Sequence, residues 1–316
     1  MRYIEEITMV QHISVVKPVN KALGTVRQVL FSPFNLIKWL GLGFAAWLAS
    51  LTEGFAPNFN LTPNNTFNSP ASHKALAWIQ AHLALVISVG TGMAIVILVV
   101  TLVIAWASCR GKFMFLDNVL NNRAEIKAPW HRFRRQGNSL FLFSICFGIA
   151  ALAVLATLGL LLLSVAWPDI GRHNFGINAL SAILLGVLFL TSYILVLGCL
   201  LAFLNDFIVP LMTLHSCRVM TAWGLFLDLF KTHVGVFVLY LLFRIVLTLV
   251  ISAVVGLACC LLCCTVLIPY VGTVILLPVL VFWRSYSVHF LEQFGGTYRL
   301  FGMGSSQYIT VQQEPG

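Results

Sequence analysis

Between Ala75 and Ser108 the chain carries no Asp, Glu, Lys or Arg. A bilayer's hydrocarbon core takes about 20 such residues as one helix, so this run is read as crossing a membrane. Similar runs recur along the rest of the chain, and composition agrees. Of 316 residues, 59% are apolar and 9% are charged, where a soluble domain carries roughly 25% charged residues. The mean hydropathy is +0.94. The net charge of +9 does not point to nucleic acid, because the cations collect at the ends of apolar runs, where anionic headgroups lie.

The expected fold class is all-α, an integral membrane bundle of six transmembrane helices. The spans are placed at about 35–51, 75–108, 140–167, 179–204, 234–264 and 272–293. Residues 1–34 form a cytoplasmic N-terminal segment, 35–293 the transmembrane domain, and 294–316 a flexible cytoplasmic tail. The start, MRYIEEITMVQHIS, is acidic at Glu5 and Glu6 and is read as no secretory signal. From Pro18 to Phe34, Val19, Leu23, Val26, Leu30 and Phe34 recur at helical spacing, while Lys21 and Arg27 lie elsewhere on the wheel. That pattern predicts a basic amphipathic helix lying in the interface, or else a plain lead-in to the first span.

Lys/Arg asymmetry sets orientation. With the N-terminus cytoplasmic, fifteen cations fall inside and only Lys74 and Arg172 fall outside. Both termini are therefore expected to be cytoplasmic. Seven of the inside cations sit in one stretch, Cys109–Ser139: Arg110, Lys112, Arg123, Lys127, Arg132, Arg134 and Arg135. Topology alone accounts for that charge. Yet Phe113, Phe115, Leu116, Val119 and Leu120 form an apolar face within it, and Trp130 and Phe133 do the same beside the arginines. Two such amphipathic pieces would lie on the membrane and hold anionic lipid, at about 1 kcal/mol per basic residue. Arg110, Lys112, Arg132, Arg134 and Arg135 are the candidate headgroup contacts.

Ionisable groups inside spans are functional suspects. Arg244 and Arg284 are the two here, with Asp206 and Glu292 as their expected carboxylate partners. One reading is a set of ion pairs tying the fourth, fifth and sixth helices together; the other is a site for an anionic headgroup or solute. A polar cavity reaching both arginines would favour the second, and a packed apolar bundle the first.

Cys259, Cys260, Cys263 and Cys264 share one helical face. Four thiolates suit zinc or copper(I), but ligands on one unbroken helix converge poorly, and free Cys packs as a small apolar residue. No metal or other cofactor is expected. Walker, GxSxG and HExxH patterns are absent and the eight His are dispersed, so the chain is read as no enzyme. A loose repeat is also visible: Trp130 and Phe133 match Trp223 and Phe226 at an offset of 93 residues.

The segments RGKFMFLDNVLNNRAEIKAPWHRFRRQGNSLF and IPYVGTVILLPVLVFWRSYSVHFLEQFG resemble an uncharacterised bacterial and archaeal family of multipass membrane proteins. That family is in turn similar to the membrane domain fused to some glycerophosphodiester phosphodiesterases. The resemblance implies a prokaryotic inner (plasma) membrane and carries no catalytic residues, since the soluble barrel is missing. The expected role is a non-enzymatic scaffold or lipid-interacting protein, with a transporter or channel for a small or anionic solute or lipid as the alternative. Expected partners are anionic membrane lipids, with a second copy or another membrane protein also admitted, and no nucleic acid.

Overall fold

The computed structural model describes residues 13–52, 81–171, 176–261 and 269–301. The loop with Lys74, the start of the second span, Arg172, the side chains of the Cys259–Cys264 cluster and the tail beyond 301 lie outside the described residues. Among those described, every regular element is helical. In order they are α1 (Lys17–Phe31), α2 (Leu36–Ser50), α3 (Leu83–Leu120), α4 (Lys127–Arg132), α5 (Arg134–Gly171) and α6 (Ile177–Phe203). A π-helical turn, Leu204–Ile208, then leads into α7 (Val209–Leu214), followed by α8 (Val219–Thr232), α9 (Val234–Leu261), α10 (Pro269–Ile275) and α11 (Leu277–Leu291).

Among the described residues, four rods are long and apolar enough to cross a membrane: α3, α5, the continuous rod Ile177–Leu214, and α9. In α3 and α5 none of the most apolar window is buried by protein. Apolar surface of that extent is favourable only where lipid covers it. The other two expected spans take a different form. α2 has 15 residues, about 22 Å at 1.5 Å per residue, and the sixth is broken between α10 and α11. The break falls at Leu276, just before Pro278, whose missing N–H cannot bond back to Val274.

Helix boundaries depart from the expected spans for local reasons. Asn35 caps α2, its Oδ1 accepting the N–H groups of Ile37 at 2.9 Å and Lys38 at 3.3 Å. Asp169 closes the α5–α6 hairpin by accepting the Ala179 N–H at 2.8 Å, a carboxylate placed where the α6 dipole favours it. The connector expected from Asp206 onward is instead helix as far as Leu214. Pro210 cannot donate to the Asp206 carbonyl, and the chain answers by widening to the π turn.

The largest correction concerns the basic stretch. α3 does not stop near Ser108; it runs on to Leu120, and its last three turns are core. Phe113, Leu116 and Val119 are buried against protein, as are Asp117 and Asn118. The helix carrying the apolar face expected to lie on the membrane packs against α2, α5, α7 and α11. Asp117 is neutralised at 2.7 Å by Arg123. α1 likewise docks on protein. Ala22, Val29 and Leu30 are buried, α1 packs along α11, and Leu23, expected on the apolar face, is exposed. Lys38 donates to the Val29 carbonyl and to Asn122, not to headgroups.

Two parts of the chain share several structural features at an offset of 94 residues, one more than that of the Trp130–Trp223 match. α3 and the rod Ile177–Leu214 are each 38 residues long and lie 94 residues apart in sequence. Each is followed by a residue in the left-handed region, Asn122 (φ 52°) and Ser216 (φ 49°). Each carries a phenylalanine stacked on one from the next segment. Phe113 stacks on Phe133 at 5.9 Å, and Phe207 on Phe226 at 5.5 Å. The same offset places Lys112 and Asp206 at equivalent positions, so the two halves present opposite charges to the point where they meet.

Behind that point lies an aromatic core. Phe203, Phe207, Phe226, Phe237, Tyr240 and Phe290 are buried in mutual ring contact. Beyond α11, half-buried Glu292 closes the described chain. Its Oε1 accepts the N–H groups of Phe301 at 2.8 Å and Leu300 at 3.1 Å, and its Oε2 meets His289 Nδ1 at 3.0 Å. Burial alone would raise this carboxyl's pKa, but these bonds hold it below its usual value. A carboxylate with a lowered folded pKa stabilises above its unfolded value, about 4.3, and that stability is lost as pH falls through the folded value. Amide protection at Leu300 and Phe301 is therefore expected to hold down to about pH 5 and to fall only under stronger acid. Glu292→Gln should make it flat with pH; an unchanged acid transition in that variant would place the cause elsewhere.

Candidate functional site

A cavity of about 280 Å³ sits where α2, α3, the π turn, α9 and α11 meet. Small residues of α2, Ala46 and Ala49, make one wall, and Phe115, Leu280 and Trp283 supply the apolar remainder. The polar lining is Ser50 from α2, Lys112 from α3, Asn205 and Asp206 from the π turn, Arg244 and Thr248 from α9, and Arg284 and Ser287 from α11. Three cations thus face the space beside one carboxylate. The volume lies just under the roughly 300–1,000 Å³ of drug-sized ligand pockets, which suits an ion or a headgroup.

The helices explain how these groups converge. Gly111 lets α3 approach the α2 backbone at Leu48 and Ala49, and that contact sets Lys112 beside the cavity. The Lys112 ammonium donates to Asn205 Oδ1 at 2.7 Å. The Arg284 guanidinium donates to the Asn205 carbonyl at 2.7 Å and the Lys112 carbonyl at 3.4 Å. Asn205 therefore holds both cations in place through neutral oxygens. Arg244 pairs with Asp206 Oδ2 at 3.1 Å and lies 5.6 Å from the Trp283 ring centroid. The Tyr240 hydroxyl donates to the same Oδ2 at 2.9 Å.

Of the four residues expected in ion pairs, Arg244 and Asp206 meet at 3.1 Å, while the Glu292 carboxylate engages His289 and the Leu300 and Phe301 amides. The headgroup candidates separate into three groups. Lys112 belongs to the cavity. Arg110 is 7% exposed, 4.1 Å from the Trp106 ring centroid and 5.1 Å from that of Trp130, with its Nη2 donating to Asn138 Oδ1 at 2.9 Å. It clamps α3 to α4 and α5. Arg132 is half-buried beside Phe133, and Arg134 and Arg135 are exposed. Asn205, Tyr240 and Thr248 were not singled out from sequence. A proline four residues after Asp206, in an apolar helical run, was the signal that something polar is displayed there. Among the described residues, no group of three or more His, Cys, Asp or Glu could hold a metal ion.

The sequence pattern of a family of unknown function (DUF7544) matches residues 13–291. The chain belongs to this family. The match runs from the lead into α1 to the last residue of α11 and includes every residue that lines the cavity. No curated protein and no solved structure matches. For the DUF7544 fold as seen here, the cavity's role has to be argued from its charge and its partners.

Proposed function

We propose that this member of the DUF7544 family is a six-pass protein of a prokaryotic inner membrane, with both termini cytoplasmic, that binds a phosphate-class oxyanion in the cavity. The anion comes from a lipid headgroup or from a small solute. One observation carries the reading: three cations converge on a partly open cavity with one carboxylate among them. Like charges gathered in one cavity repel, and an anion between them relieves that repulsion. The six-pass topology rests on the fifteen inside cations, with α2 and the broken α10–α11 pair supplying the two crossings that are not long rods. Binding is favoured over scaffolding because the helices enclose a polar cavity at Arg244 and Arg284 where a scaffold would pack apolar side chains. The reading is non-catalytic, since Asp206, the carboxylate in the lining, is tied to Arg244 and Tyr240.

Thermal unfolding of the detergent-solubilised chain, titrated with inorganic phosphate, with anionic phospholipid and with zwitterionic phospholipid, tests this. A ligand at 100 times its Kd adds about 2.7 kcal/mol to the native state. Saturable stabilisation is expected from phosphate, anionic lipid or both, and at least a tenfold loss of affinity in Arg284→Gln. Stabilisation by lipid alone identifies a headgroup, and by phosphate alone a solute. No stabilisation by any anion, or an unchanged affinity in Arg284→Gln, would overturn the reading.

A further inference from the structure

We propose that Thr25, His289 and Glu292 form a second site, a nucleophile–base–carboxylate relay that accepts the acyl group of a carboxylic ester. None of the three lines the anion cavity, so this inference stands apart from the anion-site reading. Thr25 comes from α1, His289 from the last turn of α11, and Glu292 from the 3₁₀ turn that follows. The Thr25 hydroxyl lies 3.0 Å from His289 Nε2, and His289 Nδ1 lies 3.0 Å from Glu292 Oε2. Both distances are within the reach required between a nucleophile, its base and the group that orients the base.

The partners set the proton positions. An ionised carboxylate only accepts, so the ring proton sits on Nδ1, and the neutral imidazole turns the lone pair of Nε2 toward Thr25. The Thr25 hydroxyl also reaches the Lys21 carbonyl at 3.1 Å, and rotation about its C–O bond moves the proton between the two acceptors. The imidazole plane is fixed by Phe301, whose ring stacks on it at 4.3 Å and 17°. The Leu300 and Phe301 amides hold the other oxygen of Glu292. The nucleophile is reachable. Thr25 is half-buried, Gly24 and Gln28 beside it are exposed, and a Cβ at Gly24 would meet nothing within 4 Å. Exposed Lys21 and Gln28 lie one turn to either side on the same face of α1, and their side chains are the donors for an oxyanion formed at Thr25.

In the reaction, Thr25 Oγ attacks the ester carbonyl carbon while its proton passes to His289 Nε2. The bond to the alcohol oxygen then breaks, and the departing alkoxide takes that proton. Water, deprotonated by the same nitrogen, cleaves the Thr25 ester, which releases the carboxylic acid and restores the hydroxyl. Glu292 stays ionised and stabilises the transient imidazolium.

A fluorophosphonate probe phosphonylates an activated hydroxyl with loss of fluoride, and peptide mapping of the labelled full-length chain in detergent shows where it lands. Label is expected on Thr25 in folded wild type and not in wild type denatured with urea. His289→Asn should slow labelling about 100-fold, the lower end for a general base, and Thr25→Ser should still be labelled at position 25. Hydrolysis of p-nitrophenyl acetate should be lost in Thr25→Ala. No label on Thr25 in the folded wild type, or a label that survives denaturation or His289→Asn, would overturn the proposal. The comparison of folded with denatured wild type depends on no variant folding.

Discussion

Gly111→Val is expected to separate α2 from α3 and to cost about 3 kcal/mol, the upper end for overpacking a close contact. A Cβ at position 111 would stand 2.7 Å from the Ala49 nitrogen and 2.8 Å from the Leu48 carbonyl carbon. Both are backbone atoms and cannot rotate away. The nearby polar contacts depend on the same approach, because Ser108 Oγ donates to the Ala49 carbonyl at 2.8 Å. Against a typical total stability of about 5–15 kcal/mol, the loss should appear as a large drop in melting temperature in detergent. Gly24→Ala, where a Cβ meets nothing within 4 Å, is the control and should melt at or slightly above wild type, because Ala is the better helix former. A Gly111→Val chain that melts within a degree or two of wild type would show that the α2–α3 contact is not close-packed as described.

Arg244→Gln is the second large effect. It removes the guanidinium that lies 3.1 Å from the Asp206 carboxylate, whose side chain is 11% exposed. Breaking a fully buried pair costs about 3–5 kcal/mol. The Arg244 side chain is 26% exposed, so water tempers the loss to about 2 kcal/mol. Adding Asp206→Asn removes the stranded charge and should restore most of the stability, because neutralising both partners of a buried pair is close to neutral. Urea or thermal unfolding of the two single variants and the double variant reads this as a coupling energy. Simple additivity would mean that the pair does not interact as the structure shows.

The legible parts of this protein are those that depend on lipid. Apolar runs with little or no charge marked α3, α5, α6 and α9, because hydrocarbon disfavours charge along a span. Hydropathy also set the errors. It reported where apolar character ends, near Ser108, and not where the helix ends, at Leu120. Arg110, Lys112 and Asp117 looked like the start of a surface segment because their partners, Trp106 and Trp130, Asn205 and Arg123, lie on other turns or other helices. Arg244–Asp206 was legible as two opposite charges near matching helix ends. The Arg284 contacts with the backbone carbonyls of Asn205 and Lys112 were not legible, because main-chain acceptors leave no mark in sequence. The repeat was faint by residue identity and plain by geometry. Two rods of equal length, two left-handed residues and two stacked phenylalanine pairs need few identities to be conserved in shape.

The central claim is that the Lys112–Arg244–Arg284 cavity, and not the exposed arginines of the basic stretch, holds the anion. Native mass spectrometry of the full-length chain, released from detergent with bound lipid and phosphate retained, addresses it most directly. The account predicts a stoichiometric anionic adduct on wild type and on Arg134→Gln/Arg135→Gln, with loss of that adduct in Lys112→Gln/Arg284→Gln. Retention of the adduct in the cavity variant, with loss in the surface variant, would contradict it.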